Sequence, residues 1–286
     1  MGRVEGKIAF VTGAARGQGR SHALRLAEEG ADIIAVDLCR DIASAKYPMA
    51  SPDDLKETAR LVEEHDRRIV AIEADVRERG ELRAAVADGI RELGSLDIVV
   101  AQAGIAPITG EPPMEAWADV IDTNLGGAIN AIHAALPHLG EGASIIATGS
   151  VAAFMPNDVV ASPGQDPGGT GYGYAKRALS DYIHELARAL APRRIRANAV
   201  HPTNVNTDML HNDAMYRVFR PDLEQPTREE AELAFHSQQA MPLPYVEPVD
   251  ISNAVVYLAS EEARYVTGIQ LRVDAGSYLK FHAFHV

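Results

Sequence analysis

The 286-residue sequence predicts an α/β protein, a single domain over residues 1–286 built on one doubly wound parallel sheet of seven strands with helices on both faces. Three observations predict it. Short apolar runs alternate seven times with helical patterns, which is the signature of strand-crossover-strand units rather than of separate α and β blocks. The first run, Ile8 to Val11, is apolar without interruption, as in a parallel strand buried on both faces. It is followed by Thr12-Gly13-Ala14-Ala15-Arg16-Gly17-Gln18-Gly19 and then a helical pattern. No internal repeat or low-complexity segment competes with this reading.

The glycine turn is the organising stretch. Gly13, Gly17 and Gly19 let the backbone turn sharply and approach a ligand, and the helix after them offers unpaired amides and the positive end of its dipole. A pyrophosphate fits there, so the turn is read as a dinucleotide cradle in a Rossmann-type sheet, with ligands at the carboxyl ends of the strands. The first helix is expected over 21–29 with Gly30 beyond its end, and the second strand over 31–36, finishing on Asp37. A carboxylate there, about 20 residues past the glycines, is placed to accept hydrogen bonds from the adenosine ribose. It favours NAD over NADP, although Arg16 inside the turn could pair with a 2′-phosphate. Leu38 follows directly.

Residues 38–50 exceed an ordinary strand-to-helix loop, and an insertion of this kind is either functional or disordered. Ser51-Pro52-Asp53-Asp54 then starts a helix that is expected to run to about Glu64, with Pro at the first position and acidic residues in the first turn. The third strand is expected over 68–74, with Asp75 and Val76 at its end in reach of an adenine. A helix over 78–93 leads to a fourth strand over 96–100. Ala101, Ala103 and Gly104, around Gln102, are small enough for close contact with a cofactor. Residues 114–139 read as one long helical region holding Asn124, and residues 143–148 as the fifth strand, ending on Gly149 and Ser150. Residues 151–171 are too rich in Pro and Gly for a helix and are expected to form a pocket wall or lid. Tyr172 to Leu190 is helical and 195–200 is the sixth strand. Residues 208–247 form a second candidate lid with a helix around 228–239. A helix over 249–259 and a seventh strand over 269–273 complete the pattern.

The formal charge of −13 argues against nucleic acid or an anionic membrane as partner. The one cysteine, Cys39, leaves no internal disulfide, and no apolar stretch is long enough to span a membrane. A cytoplasmic location is expected. His184-Glu185-Leu-Ala-Arg188 begins like a zinc-protease helix, but Arg188 stands where the second His belongs, so no metal site is expected.

The glycine turn, Asn124, Ser150 and Tyr172-Gly-Tyr-Ala-Lys176 occur in the order and rough spacing of the short-chain dehydrogenase/reductase family, which the chain resembles over nearly its whole length. Residues at i and i+4 share a helix face, so the Lys176 ammonium can sit beside the Tyr172 phenol and favour its anion. Tyr174 has only Ala178 four positions on. The resemblance implies that Tyr172 exchanges a proton with the substrate oxygen as hydride moves to or from the nicotinamide, and that Ser150 hydrogen-bonds that oxygen. It implies too that Lys176 holds the nicotinamide ribose, Asn124 fixes a water for proton exit, and Val205 and Thr207 meet the carboxamide. Family members are commonly homotetramers. Two departures stand out: Ala101-Gln102-Ala103-Gly104 replaces the usual Asn-Asn-Ala-Gly, losing an asparagine that ordinarily ties neighbouring strands, and Pro202-Thr203 replaces Pro-Gly.

The insertion after Asp37, the phrase His201-Pro-Thr-Asn-Val-Asn-Thr207-Asp-Met209 and the ending Val273-Asp-Ala-Gly-Ser-Tyr278 resemble the actinobacterial carveol-dehydrogenase-like branch, also described as mycofactocin-coupled. That resemblance implies NAD held so firmly that it exchanges slowly, and electrons passed to a separate redox carrier. The insertion is expected to fold over the adenosine. The apolar tail over 278–286 is expected to pack on its own subunit, or to dock at a subunit interface or near a neighbouring subunit's active site. The expected activity is interconversion of an apolar, carveol-like secondary alcohol and its ketone. A 3-oxoacyl-thioester reductase and an NAD-sensing binding protein are the alternatives.

Overall fold

A computed structural model of the protein describes residues 2–108, 114–155 and 166–281. Its first half alternates β1 (Ile8–Thr12), α1 (Gly17–Glu28), β2 (Asp32–Asp37), α2 (Pro52–Glu63), β3 (Ile69–Glu73), α3 (Arg79–Leu93) and β4 (Ile98–Ala101). The second continues with α4 (Glu115–Val120), α5 (Ala128–Ala135), β5 (Ser144–Thr148), α6 (Pro167–Leu190), β6 (Arg196–Pro202), α7 (Asp213–Phe219), α8 (Arg228–Phe235), α9 (Pro248–Ala259), β7 (Gln270–Val273) and α10 (Ser277–Phe281). The strands form one sheet in the order β3-β2-β1-β4-β5-β6-β7, and every pairing is parallel. The expected Rossmann-type sheet is thus the observed one.

Strand alternation sorts the apolar residues onto two faces. Phe10, Ile34, Val99 and Ile145 point to a core shared with Leu82 and Val86 of α3, Ile132 of α5 and Leu179 and Ile183 of α6. Val11, Ile33, Val100 and Ile146 point the other way, to Leu26 of α1, Leu55 and Val62 of α2, and Ile251 and Val255 of α9. A third cluster, Leu210, Met215, Tyr216, Ala231 and Phe235, joins α7 and α8.

Three expectations about helices need correction. The first helix starts at Gly17, inside the turn, so the cradle is itself the first turn of α1. The long helical region breaks at a π-helix over Ile121–Gly127, which contains Asn124; such bulges concentrate at functional sites. The helix bearing Tyr172 starts five residues earlier than expected. Asp166 caps it by accepting from Gly169 N at 2.9 Å, and Pro167 takes the first position, where its missing N–H costs nothing. The glycines that suggested a break are there for close packing: a Cβ on Gly168 would lie 2.0 Å from the Pro107 carbonyl oxygen. Helix α7 was not anticipated. Of the first lid, residues 156–165 lie outside the described residues, as do 282–286 of the tail.

Gly89 of α3 packs directly on β2, the strand that presents Asp37; a Cβ there would lie 2.5 to 2.7 Å from three side-chain atoms of Ile34. Gly89→Ala should therefore cost about 1–3 kcal/mol through overpacking, measured as a lower urea midpoint at unchanged m-value.

Candidate active site

The glycine turn is shaped by contacts that admit no side chain. Gly13 and Gly17 have φ of +67° and +55°. A Cβ on Gly13 would lie 2.8 Å from Ala103 Cα, and one on Gly19 would lie 1.9 Å from the Gly13 carbonyl oxygen. The resulting groove is lined by Gly13, Arg16, Gln18, Gly19, Asp37, Leu38, Asp75, Val76, Ala103, Gly104 and Thr207, among others. Two polar atoms of residues that line it, Gln18 Oε1 and Thr123 Oγ1, are buried with no partner among the described residues, as expected of a wall that meets a polar ligand. The Asp37 carboxylate accepts from Ala15 N at 2.9 Å and Cys39 N at 3.3 Å. Burial pushes its pKa up, against the pull of these amides and of Arg16.

Other nominated residues are placed differently. Ala101 is buried in the core beneath the groove; Gln102 lines the groove in its stead. The Asp75 carboxylate is already held by Arg77, at 2.7 Å, and by Arg40 of the insertion, at 3.2 Å. Arg16 pairs with Asp208 at 3.1 Å and donates to the Pro48 carbonyl. The insertion is pinned to the body by Tyr47 Oη, which accepts from Ala106 N at 3.1 Å, and by Ser44 on Asp119 at 2.6 Å. Tyr47, Ile42 and Met49 wall the groove. Sequence reasoning missed Tyr47, whose signal was that it is the one aromatic residue of the insertion.

Where the groove passes Gln18, Gln102, Gly104, Thr207 and Met209 it opens into a cavity of about 680 Å³. Asn124, Ser150, Tyr172, Lys176 and Val205 line that cavity. Ser150 stands just past β5, its Oγ accepting from Ala152 N at 3.2 Å. Burial pushes the Tyr172 phenol up, and a hydrogen bond with Ser150 pulls it back. Lys176 is 4% exposed; its ammonium donates to the Thr148 carbonyl at 2.7 Å and lies 5.7 Å from the Tyr172 ring centroid. Burial pushes it down to about 8. Asn124 exchanges two 2.8 Å hydrogen bonds with the Ile105 backbone. Tyr174 is exposed and packs on Trp117, with ring centroids 5.7 Å apart and the planes tilted by 37°, while Arg188 pairs with Glu185 on the surface of α6.

A family model described as enoyl-(acyl carrier protein) reductase, of the short-chain alcohol dehydrogenase type, matches residues 13–278. The chain belongs to the short-chain dehydrogenase/reductase family. It is 46% identical over 286 residues to a (-)-trans-carveol dehydrogenase of Rhodococcus erythropolis, covering 98% of this chain and 100% of that one. A crystal structure of carveol dehydrogenase from Mycobacterium avium in complex with NAD superposes with a TM-score of 0.91 at 46% identity, covering 98% of this chain and 100% of the other. A short chain dehydrogenase from Mycobacterium paratuberculosis bound to NAD gives 0.84 at 40% identity, over 97% and 100%. The chain is an oxidoreductase of this family.

The tie between strands that the family's asparagine makes is not lost here. Gln102 Oε1 accepts from the Thr148 hydroxyl of β5 and lies 3.1 Å from His22 Nε2 on α1. His22 Nδ1 meets Ser252 Oγ of α9 at 2.8 Å. The imidazole is wholly buried, and burial pushes its pKa from 6.5 to about 4, opposed by the Gln102 hydrogen bond. The folded value lies below the unfolded one, so the unfolded chain takes up the proton first. Stability is therefore retained above pH 6.5 and lost as pH falls towards 4. Urea titrations between these limits should show the native chain losing up to about 3 kcal/mol more than a His22→Asn variant; parallel pH dependences would remove His22 as the source.

Proposed function

We propose that this chain oxidises an apolar secondary alcohol to its ketone with NAD, and that Asn124, Ser150, Tyr172 and Lys176 are its catalytic residues. The observation that carries the proposal is the meeting of Ser150, Tyr172 and Lys176 where the dinucleotide groove opens into the larger cavity. The groove fits the cofactor: its glycine cradle, the orphaned Gln18 and Thr123 oxygens and the anchored Asp37 carboxylate each suit one part of a dinucleotide. Gly13, Gln18 and Gly19 would hold the pyrophosphate, Asp37 and Leu38 the adenosine ribose, Asp75 and Val76 the adenine edge, and Ala103 and Gly104 the ribose path towards the nicotinamide. Val205, Thr207, Tyr172 and Lys176 would meet the nicotinamide half. Asp37 favours NAD because a 2′-phosphate would face a buried carboxylate. When bound, NAD supplies the hydride acceptor.

The side chains do the proton chemistry. Ser150 donates to the substrate oxygen and orients the alcohol carbon. Tyr172, as phenolate, takes the hydroxyl proton; in the reverse direction it returns that proton to the ketone. Lys176 is close enough to stabilise the phenolate, and its i+4 placement holds that separation. Asn124, in its π-helical turn, positions a water through which the proton exits. The balance is alcohol plus NAD⁺ giving ketone, NADH and one proton. Ile108, Met155, Met209, Leu210 and Phe219 line the substrate end of the cavity, which suits a terpene-like alcohol such as the carveol of the related dehydrogenases. The acyl-carrier reading suggested by the family description is weaker, because an acidic carrier needs a basic docking face and this chain carries −13. A homotetramer and hand-over of electrons to a separate redox carrier complete the reading and rest on the family resemblance.

Tyr172→Phe should lower turnover at least about 10³-fold while NAD still binds with native affinity; retained turnover would remove Tyr172 from the chemistry. We further propose that the insertion slows NAD release, because Tyr47, Pro48 and Ser44 clasp it across the groove through Ala106, Arg16 and Asp119. Protein purified without added cofactor should then yield near-stoichiometric NAD on denaturation. Deleting residues 40–48, or Arg16→Ala, should speed NAD dissociation by about 10-fold or more, consistent with one or two lost hydrogen bonds. Unchanged release in both variants would discard the clasp.

A further inference from the structure

We propose that His201 is the positioning residue of Ser150, acting as a neutral imidazole whose Nδ1 accepts the Ser150 backbone amide and so fixes the hydroxyl opposite Tyr172. The inference rests on the reading of Ser150 and Tyr172 as catalytic residues. His201 is in β6, fully buried, and its Nδ1 lies 3.1 Å from Ser150 N and 3.0 Å from the Ser150 carbonyl oxygen. The other ring nitrogen decides between these partners. Nε2 lies 2.7 Å from Gln270 Oε1 of β7. Gln270 cannot be turned round, because its amide nitrogen donates to the Ser180 carbonyl of α6 at 3.2 Å. An amide oxygen facing Nε2 requires that nitrogen to carry the proton. In the neutral ring Nδ1 is then an acceptor, and its donor is Ser150 N–H.

The surroundings are built around the ring. The Phe154 ring lies 4.7 Å from it, centroid to centroid, in the turn that follows Ser150. On the strand side, a Cβ on Gly149 would lie 2.3 Å from Nδ1 and Cε1. The residue before Ser150 is therefore glycine because the imidazole fills the place of its side chain. A chain of hydrogen bonds thus runs from Ser180, one turn beyond Lys176 on the same helix, through Gln270 and His201 to Ser150. It couples the helix that carries Tyr172 and Lys176 to the strand end that carries Ser150.

Protonation exchanges the partner. A charged ring has N–H on both nitrogens, so Nδ1 abandons the Ser150 amide and donates to the Ser150 carbonyl instead. The charged groups bearing on the ring are the Lys176 ammonium from α6 and the Arg272 guanidinium from β7; Ser150, Phe154 and Gln270 carry no charge. Burial, assisted by these two cations, holds the imidazole below its ordinary value of 6.5. The neutral, productive form is therefore complete above pH 6.5, and is lost as pH falls through the depressed value.

The test is the pH profile of kcat from pH 4.5 to 9 on the best substrate from a panel of secondary alcohols, run on NAD-loaded wild type, His201→Asn, His201→Leu and Tyr172→Phe. Asn places an amide oxygen near the position of Nδ1 and does not titrate; Leu fills space and accepts nothing. His201→Leu should lose about 10- to 100-fold in kcat, from one orphaned buried amide, with NAD binding unchanged. His201→Asn should recover most of that loss and keep the acid limb that protonation of Tyr172 sets, without the further drop below pH 6.5 that the imidazole adds in the wild type. An acid limb in His201→Asn identical to that of the wild type overturns the proposal even if His201→Leu fails to fold. So does a His201→Leu enzyme within about twofold of wild type. In both cases an inactive Tyr172→Phe shows that the catalytic reading itself survives; an active one shows that it was that reading which failed.

Discussion

The parallel pairing of β1 with β4, in the register Phe10 to Val99, is the constraint on which the site depends. β1 also pairs with β2 on its other edge, so the chain winds away in both directions from one strand and a crevice opens beyond its carboxyl end. The Thr12 hydroxyl accepts from Gln102 N and Ala103 N at 3.0 and 3.1 Å, which draws the end of β4 against the turn. That approach is why Gly13 has no room for a Cβ. The groove is thus a consequence of strand order, and the glycines are the residues that permit it.

Burial acts on the ionisable groups around this crevice in one direction. It pushes Asp37 and Tyr172 up and Lys176 and His201 down, in each case towards the neutral form. An uncompensated buried charge costs several kcal/mol, so the protein alone disfavours the charged form of each group. A group in that state answers strongly to a charge brought beside it. Drawing the Tyr172 phenol down towards neutral pH, where it could act as a base, therefore falls to the Lys176 ammonium and to whatever charge occupies the groove.

Local chemistry made much of this legible. A left-handed turn demands glycine, an i, i+4 pair shares a helix face, and a carboxylate at the end of β2 has a backbone site waiting for it, so Gly13, Asp37, Tyr172 and Lys176 could be read without neighbours. What could not be read depends on distant partners. Gly168, before Tyr172, looked like a breaker because Pro107, some 60 residues away, is what needs it small. The π-helical turn at Asn124 leaves no mark in composition. Asp75 looked free for a ligand because its two arginines, Arg40 and Arg77, could as well have faced water. Arg16 looked like a ligand for a 2′-phosphate, and its partners on the insertion and at Asp208 emerged only with the fold.

Gln102 shows what a motif residue stands for. At that position the sequence departs from the family pattern, and the direct inference was a lost tie between neighbouring strands. The requirement is physical: the hydroxyl of Thr148 and the small residues after β4 sit in a closed interior where an unpaired donor costs about 1–3 kcal/mol. A glutamine is one methylene longer than an asparagine, so its amide reaches Thr148 and also the imidazole of His22. His22 in turn needs an acceptor or donor on its far nitrogen, and Ser252 provides it from α9. One longer side chain therefore recruits a histidine and a serine from helices on the same face of the sheet, and the strand tie becomes a network joining α1, α9, β4 and β5. The network carries a buried imidazole, and with it a pH dependence in the floor of the site.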